Sequence, residues 1–286
     1  MVEPPPRQRV GIHLLLFVIT VFTTMAAGAL QEGADIFTNP GLIYKGIPFS
    51  MALLLILGIH ESGHYLASRY WGVRATLPYF IPLPPIISPL GTLGAVIKVR
   101  SQIPNRRALI DIGAAGPLAG FVVAVVVSMI GLGQSTIVPE TPSAGSIILG
   151  DSVLFSFLTR SMIGSVPEGY TVMLNPVAFA GWIGLFVTML NLLPVGQLDG
   201  GHIIYALFGY GHRIIARAAV IVLIPMGFLW IGWSFWAVLL IFLFGTRHPA
   251  PLDPYVPLDS RRKVVGYLSI LIFVLCFTPT PFEVTL

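Results

Sequence analysis

The chain has 286 residues, of which 55% are hydrophobic and only 10% charged, and its mean hydropathy is +0.87. That composition excludes an ordinary water-soluble globular domain and describes a polytopic membrane protein. The net charge of +4 is spread over loops and implies no nucleic-acid patch, while a lone cysteine, Cys276, excludes an internal disulfide and a cysteine-based zinc site.

The first apolar run, 10–30, follows Arg7 and Arg9. Met25-Ala26-Ala27-Gly28-Ala29 resembles a signal cleavage site, but the run is long for a signal peptide and the rest of the chain is itself apolar. An uncleaved membrane helix is expected at 11–30. Further spans are expected at 48–69, 110–131, 174–194 and 265–282. The apolar run 214–245 contains Pro225, Gly227 and Gly232 and reads as two short or tilted helices. The expected fold class is an all-α polytopic membrane protein of about six to seven transmembrane segments, built as one domain over 1–286.

The second span holds ionisable groups where they are expensive. After the apolar stretch Leu53-Leu54-Leu55-Ile56-Leu57 comes His60-Glu61-Ser62-Gly63-His64. On a helix this H-E-x-x-H spacing puts two imidazoles one turn apart on one face, close enough to grip one Zn²⁺. Glu61 reaches the same face and can take a proton from a zinc-activated water. Ionisable groups inside a membrane span are functional by default.

Residues 77–104 do not fit a spanning helix. They hold Pro78, Pro82, Pro84, Pro85, Pro89 and Pro104 with Gly91 and Gly94, too much proline for any helix. A membrane-associated loop with a short strand or β-hairpin is expected here, the strand at 93–100. In the third span Gly113, Gly116 and Gly120 stand at small-residue spacings suited to close helix packing. The outer loop, about 132–173, is too short for a PDZ-sized domain.

A two-histidine site needs a third protein ligand. At the end of span 174–194 lies Asn191-Leu192-Leu193-Pro194-Val195-Gly196-Gln197-Leu198-Asp199-Gly200-Gly201-His202. Proline and glycines break the helix there, and Asp199 is the acidic residue at the bend. His202, three residues on, is a rival ligand or a supporting partner. His13, His212 and His248 fall at segment ends and read as interfacial. Trp182, Trp230, Trp233 and Trp236 read as lipid-facing or belt residues.

Together these residues resemble the site-2 protease family of intramembrane zinc metalloproteases, in a compact form without a PDZ domain. The resemblance rests on His60-Glu61-Ser62-Gly63-His64, on Asn191 to Pro194 with Leu198-Asp199-Gly200, and on Gly91-Thr92-Leu93-Gly94-Ala95 and Ala115-Gly116-Pro117-Leu118-Ala119-Gly120. It implies a catalytic core at about 48–202, with C-terminal helices at about 214–282 matched by hydropathy alone. It implies one Zn²⁺ per chain held by His60, His64 and Asp199, with Glu61 as general base and acid and Asn191 near the substrate backbone or oxyanion. The activity implied is endopeptidase cleavage within or near membrane spans of single-pass substrate proteins. The alternative is a membrane metal-binding protein or transporter with the same ligands, which would want more ionisable groups strung across the membrane than this chain has.

Lysine and arginine set the expected orientation. With the N-terminus in the cytosol, Lys45 and Arg160 fall outside and the other cations inside. The zinc then lies toward the cytosolic face. A prokaryotic plasma membrane is expected, since no transit sequence is seen. The oligomeric state leaves no signature.

Overall fold

A computed structural model describes residues 9–140, 147–243 and 245–284; Arg7, counted above among the inward cations, lies outside them. Nine α-helices appear among these residues: α1 (Val10–Gln31), α2 (Ile47–Tyr70), α3 (Arg106–Leu132), α4 (Val153–Met162), α5 (Pro176–Asn191), α6 (Asp199–Phe208), α7 (His212–Met226), α8 (Ile231–Leu243) and α9 (Ser260–Cys276). Four helical runs are long and apolar enough to cross a membrane: Val10–Gln31, Pro40–Tyr70, Arg106–Leu132 and Asp199–Met226. Helices α4, α5 and α8 are apolar but shorter, so the expected six to seven spans are not matched by as many full-length helices.

The chain is mostly helical rather than all-α. Six short strands form three antiparallel pairs: β1 (Tyr79–Pro82) with β2 (Thr92–Val96), β3 (Thr136–Pro139) with β5 (Tyr170–Met173), and β4 (Ile147–Leu149) with β6 (Phe282–Val284). They lie outside the helices, in connections and after α9, where prolines and glycines disfavour helix yet the backbone still needs partners.

The core is a three-helix packing of α2, α3 and α5, with α6 against α3. Phe49, Leu53, Ile56 and Leu57 of α2 meet Ala124 and Val127 of α3 and Ile183, Leu185 and Met189 of α5. Glycines let the backbones approach. A Cβ at Gly181 would strike Ser128, one at Gly131 the Ala178 backbone, and one at Gly63 the Ala115 carbonyl. In a lipid setting such close packing, rather than apolar burial, holds helices together.

Several expectations fail on burial. Trp182 and Trp233 are 2% and 0% exposed, and each indole N–H donates to a backbone carbonyl, of Gly150 and Pro279. They are core residues, not belt residues. His13 and His212 are buried too. His13 hydrogen-bonds the Pro78 carbonyl through Nδ1 (3.0 Å) and lies 4.0 Å from the Tyr79 ring, so α1 fixes the start of β1. Cys276 is buried, as an apolar residue would be.

Two helices were not expected. Helix α4 falls within the outer loop. Helix α6 occupies the bend at 199–208, and Gly209, with φ +59°, ends it before a 3-10 turn leads into α7. The run 214–245 is divided into α7 and α8 at 227–230.

Candidate metal centre

Helix α2 carries His60 and His64 on one face, and both are buried with Glu61. Their Nε2 atoms lie 3.1 Å apart. Asp199 reaches the same point from the first turn of α6, with Oδ2 3.4 Å from His60 Nε2 and 3.3 Å from His64 Nε2. Among the described residues these three form the group whose donor atoms all lie within one ion's reach.

The donor set fits zinc. With bonds of about 2.0–2.2 Å to imidazole nitrogen and carboxylate oxygen, donors of a tetrahedral site stand about 3.3 Å apart, and the observed spacings straddle that value. His64 Nδ1 hydrogen-bonds the Ile112 carbonyl of α3 at 2.7 Å, which fixes the tautomer that leaves an Nε2 lone pair free for a metal.

Helix α3 accommodates the imidazoles with the glycine row read above as a packing face. A Cβ at Gly116 would overlap the His64 ring, and one at Gly120 would come within 3.1 Å of His60 Nδ1. The row therefore packs against the histidines themselves.

The turn between α5 and α6 delivers Asp199. Helix α5 ends at Asn191, and Gly196 adopts φ +55°. The chain then folds back so tightly that a Cβ at Gly200 would strike the Leu192 carbonyl and one at Gly201 the Gly196 carbonyl. Two consecutive glycines after Asp199 are thus a steric requirement. The carboxylate sits at a helix N-terminus, where negative charge is favoured.

Glu61 lies in the electrostatic field of His64 and Asp199, with the backbone of Ile97, just beyond β2, beside its carboxylate. Asn191 donates its Nδ2–H toward His60 Nε2 at 3.3 Å. All five sequence-predicted site residues are therefore brought together. His202 is not among the donors: its ring hydrogen-bonds His248, a residue of the segment after α8. His248 also stacks on Tyr205, 4.8 Å between centroids, and lies 5.6 Å from His212. Sequence reasoning placed His212 and His248 at an interface, and only the return of the chain after α8 could reveal their inward role.

The hairpin β1–β2 continues past its strands: Thr76 N–H donates to the Lys98 carbonyl and Arg100 N–H to the Arg74 carbonyl. Lys98 N–H also turns toward this partner, to Thr76 Oγ1. Ile97 lies on the other side, beside Glu61. The edge of this extended segment opposite residues 74–76, which has no partner strand among the described residues, thus lies on the side of Glu61.

Comparison with known proteins agrees. A family model described as Peptidase family M50 matches residues 48–232. The chain is 29% identical over 281 residues to the probable zinc metalloprotease EGY2, chloroplastic, of Arabidopsis thaliana, covering 96% of this chain and 49% of that protein. It is 30% identical over 276 residues to the protein of the same name from Oryza sativa subsp. indica, covering 93% and 49%. To the probable zinc metalloprotease EGY1, chloroplastic, of Arabidopsis thaliana it is 29% identical, covering 97% and 55%. The chain thus spans about half the length of the curated relatives it matches.

Proposed function

Because the chain belongs to peptidase family M50, we propose that it is an intramembrane zinc endopeptidase whose metal is held by His60, His64 and Asp199. The carrying observation is the convergence of these three donors, from two helices, beside a buried glutamate. A bound zinc lowers the pKa of a water to about 7 and polarises a carbonyl. Glu61 carries the proton: it accepts from the attacking water and delivers to the leaving amine nitrogen. Asn191 donates its amide to the oxygen that gains charge.

The substrate proposed is a single membrane-spanning helix of another protein. A helix hides its peptide groups in its own hydrogen bonds and must unwind before attack. The free edge at 97–99 is suited to receive the unwound strand by β-addition. The active site is proposed to face the cytosolic side, from the asymmetry of lysine and arginine. The host membrane is proposed as a prokaryotic plasma membrane or, following the chloroplastic relatives, its plastid counterpart.

The test is purified protein in detergent, its zinc content, and cleavage of a fluorogenic membrane-helix substrate by wild type and Glu61→Gln. About one zinc in both, with cleavage at least about 10²-fold slower in the variant, is expected. Equal cleavage by Glu61→Gln would remove the proposed base. Zinc in both with cleavage by neither, across a substrate panel, would favour the metal-transport alternative.

A further inference from the structure

The α7–α8 hairpin brings three arginines together at one end. Arg213 and Arg217 lie one turn apart on α7. Arg247 follows α8, after Gly245 at φ +63° has turned the chain. Their juxtaposition is anchored by neighbours: His212 and His248, next to Arg213 and Arg247, have ring centroids 5.6 Å apart. The histidines turn inward, and all three arginines are exposed.

Among the described residues these cations have no protein counter-charge. Residues 200–252 contain no aspartate or glutamate. Among the described residues, none of the three makes an ion pair or a side-chain hydrogen bond. Arg217 and Arg247 both press like charge onto Arg213. Three other arginines on this side of the bundle are occupied: Arg106 by the Ala206 and Leu207 carbonyls, Arg107 by the Pro257 carbonyl, Arg262 by Asp111 and Asp259.

Above the arginines, both helices present exposed apolar side chains. Ile214 and Ile221 lie on α7, and Val238 and Phe242 on α8. A charged end under an apolar flank matches one molecule with both properties. We propose that Arg213, Arg217 and Arg247 form a binding site for an anionic phospholipid, its phosphate among the guanidinium groups and its acyl chains along the α7–α8 hairpin. Arginine's fork suits a phosphate, and each juxtamembrane cation adds to the attraction.

The test uses the full chain in mixed detergent micelles, with thermal unfolding followed as lipid is added. Phosphatidylglycerol is expected to raise the Tm of wild type, while phosphatidylcholine and inorganic phosphate leave it unchanged. R213Q/R217Q/R247Q should need at least tenfold more phosphatidylglycerol for the same shift. R9Q/R261Q/K263Q, which removes the same charge elsewhere, should respond as wild type does. R217Q alone, the least disruptive change, should fall between. Equal loss in the two triple variants would overturn the site in favour of diffuse attraction. A full response to phosphatidylcholine or to phosphate alone would overturn the anionic lipid as its occupant. The readout is independent of peptidase activity.

Discussion

At the scale of single residues, the metal centre depends as much on a missing side chain as on the donors. Gly116 leaves the space that the His64 imidazole fills. Overpacking a close-fitted site costs about 1–3 kcal/mol, so Gly116→Ala is expected to weaken zinc binding at least about tenfold. Gly120→Ala, whose Cβ would stand 3.1 Å from His60 rather than overlapping it, should lose about threefold or less. Metal titration by competition with a chelator measures both, and equal losses would mean that overlap with the imidazole is not what matters. His60, Glu61 and His64 were legible because helical spacing alone puts them on one face. Asp199 was legible through its proline- and glycine-rich turn. Gly116 was legible only as a packing residue, because which side chain it faces depends on the crossing of α2 and α3.

At the scale of elements, α9 is clamped to α3 beside the site. Arg262 donates Nε and a terminal N–H to Asp111, pairs with Asp259, and lies over the Trp71 ring, whose indole N–H donates to Asp111. Asp111 precedes Ile112, the residue that fixes the His64 tautomer. The pair is a quarter exposed, so Asp111→Asn should cost about 1 kcal/mol, and almost nothing in an Arg262→Gln background. Additive losses in the double variant would show that the two do not act together.

The segment after α8 is a second clamp. Leu252 N–H donates to the Ile103 carbonyl and Asp253 N–H to that of Pro104, while His248 docks on His202 and Tyr205 of α6, near His212 of α7. Burial pushes the His248 imidazole down to about 3, and the neighbouring His202 works in the same direction; Arg247 beside it adds no counter-charge. Between the ordinary value of about 6.5 and that lower one, the unfolded segment binds a proton that the docked one refuses. Docking should therefore weaken as pH falls below about 6.5. Hydrogen-exchange protection of 245–259 is expected to drop between pH 7 and pH 5 in wild type but not in His248→Phe, which keeps a ring against Tyr205. Indistinguishable profiles would remove His248 as the cause. Neither clamp was legible in the sequence, because both join residues far apart in the chain.

At the scale of the whole molecule, a membrane chain hides its own interior. Lipid is as apolar as a leucine core, so hydropathy located the runs yet could not tell the buried Trp182 and Trp233 from lipid-facing tryptophans. The sheet was foreshadowed by proline and glycine, its register was not. How the proposed substrate helix would meet this molecule turns on that register. Val99→Pro removes an N–H from the free edge, where proline is tolerated, and should lower kcat/KM on a membrane-helix substrate about tenfold while leaving the Tm unchanged. Cleavage at the wild-type rate would exclude pairing at this edge.

The proposed metal donors also lie far apart along the chain, His60 and His64 in α2 and Asp199 at the start of α6. A nascent chain emerging from the ribosome displays the two histidines long before the aspartate exists. Until then it would offer an incomplete ligand set for the proposed metal. On the proposed reading, a chain truncated before Asp199 lacks one of the three donors and is expected to bind zinc weakly and to cleave nothing.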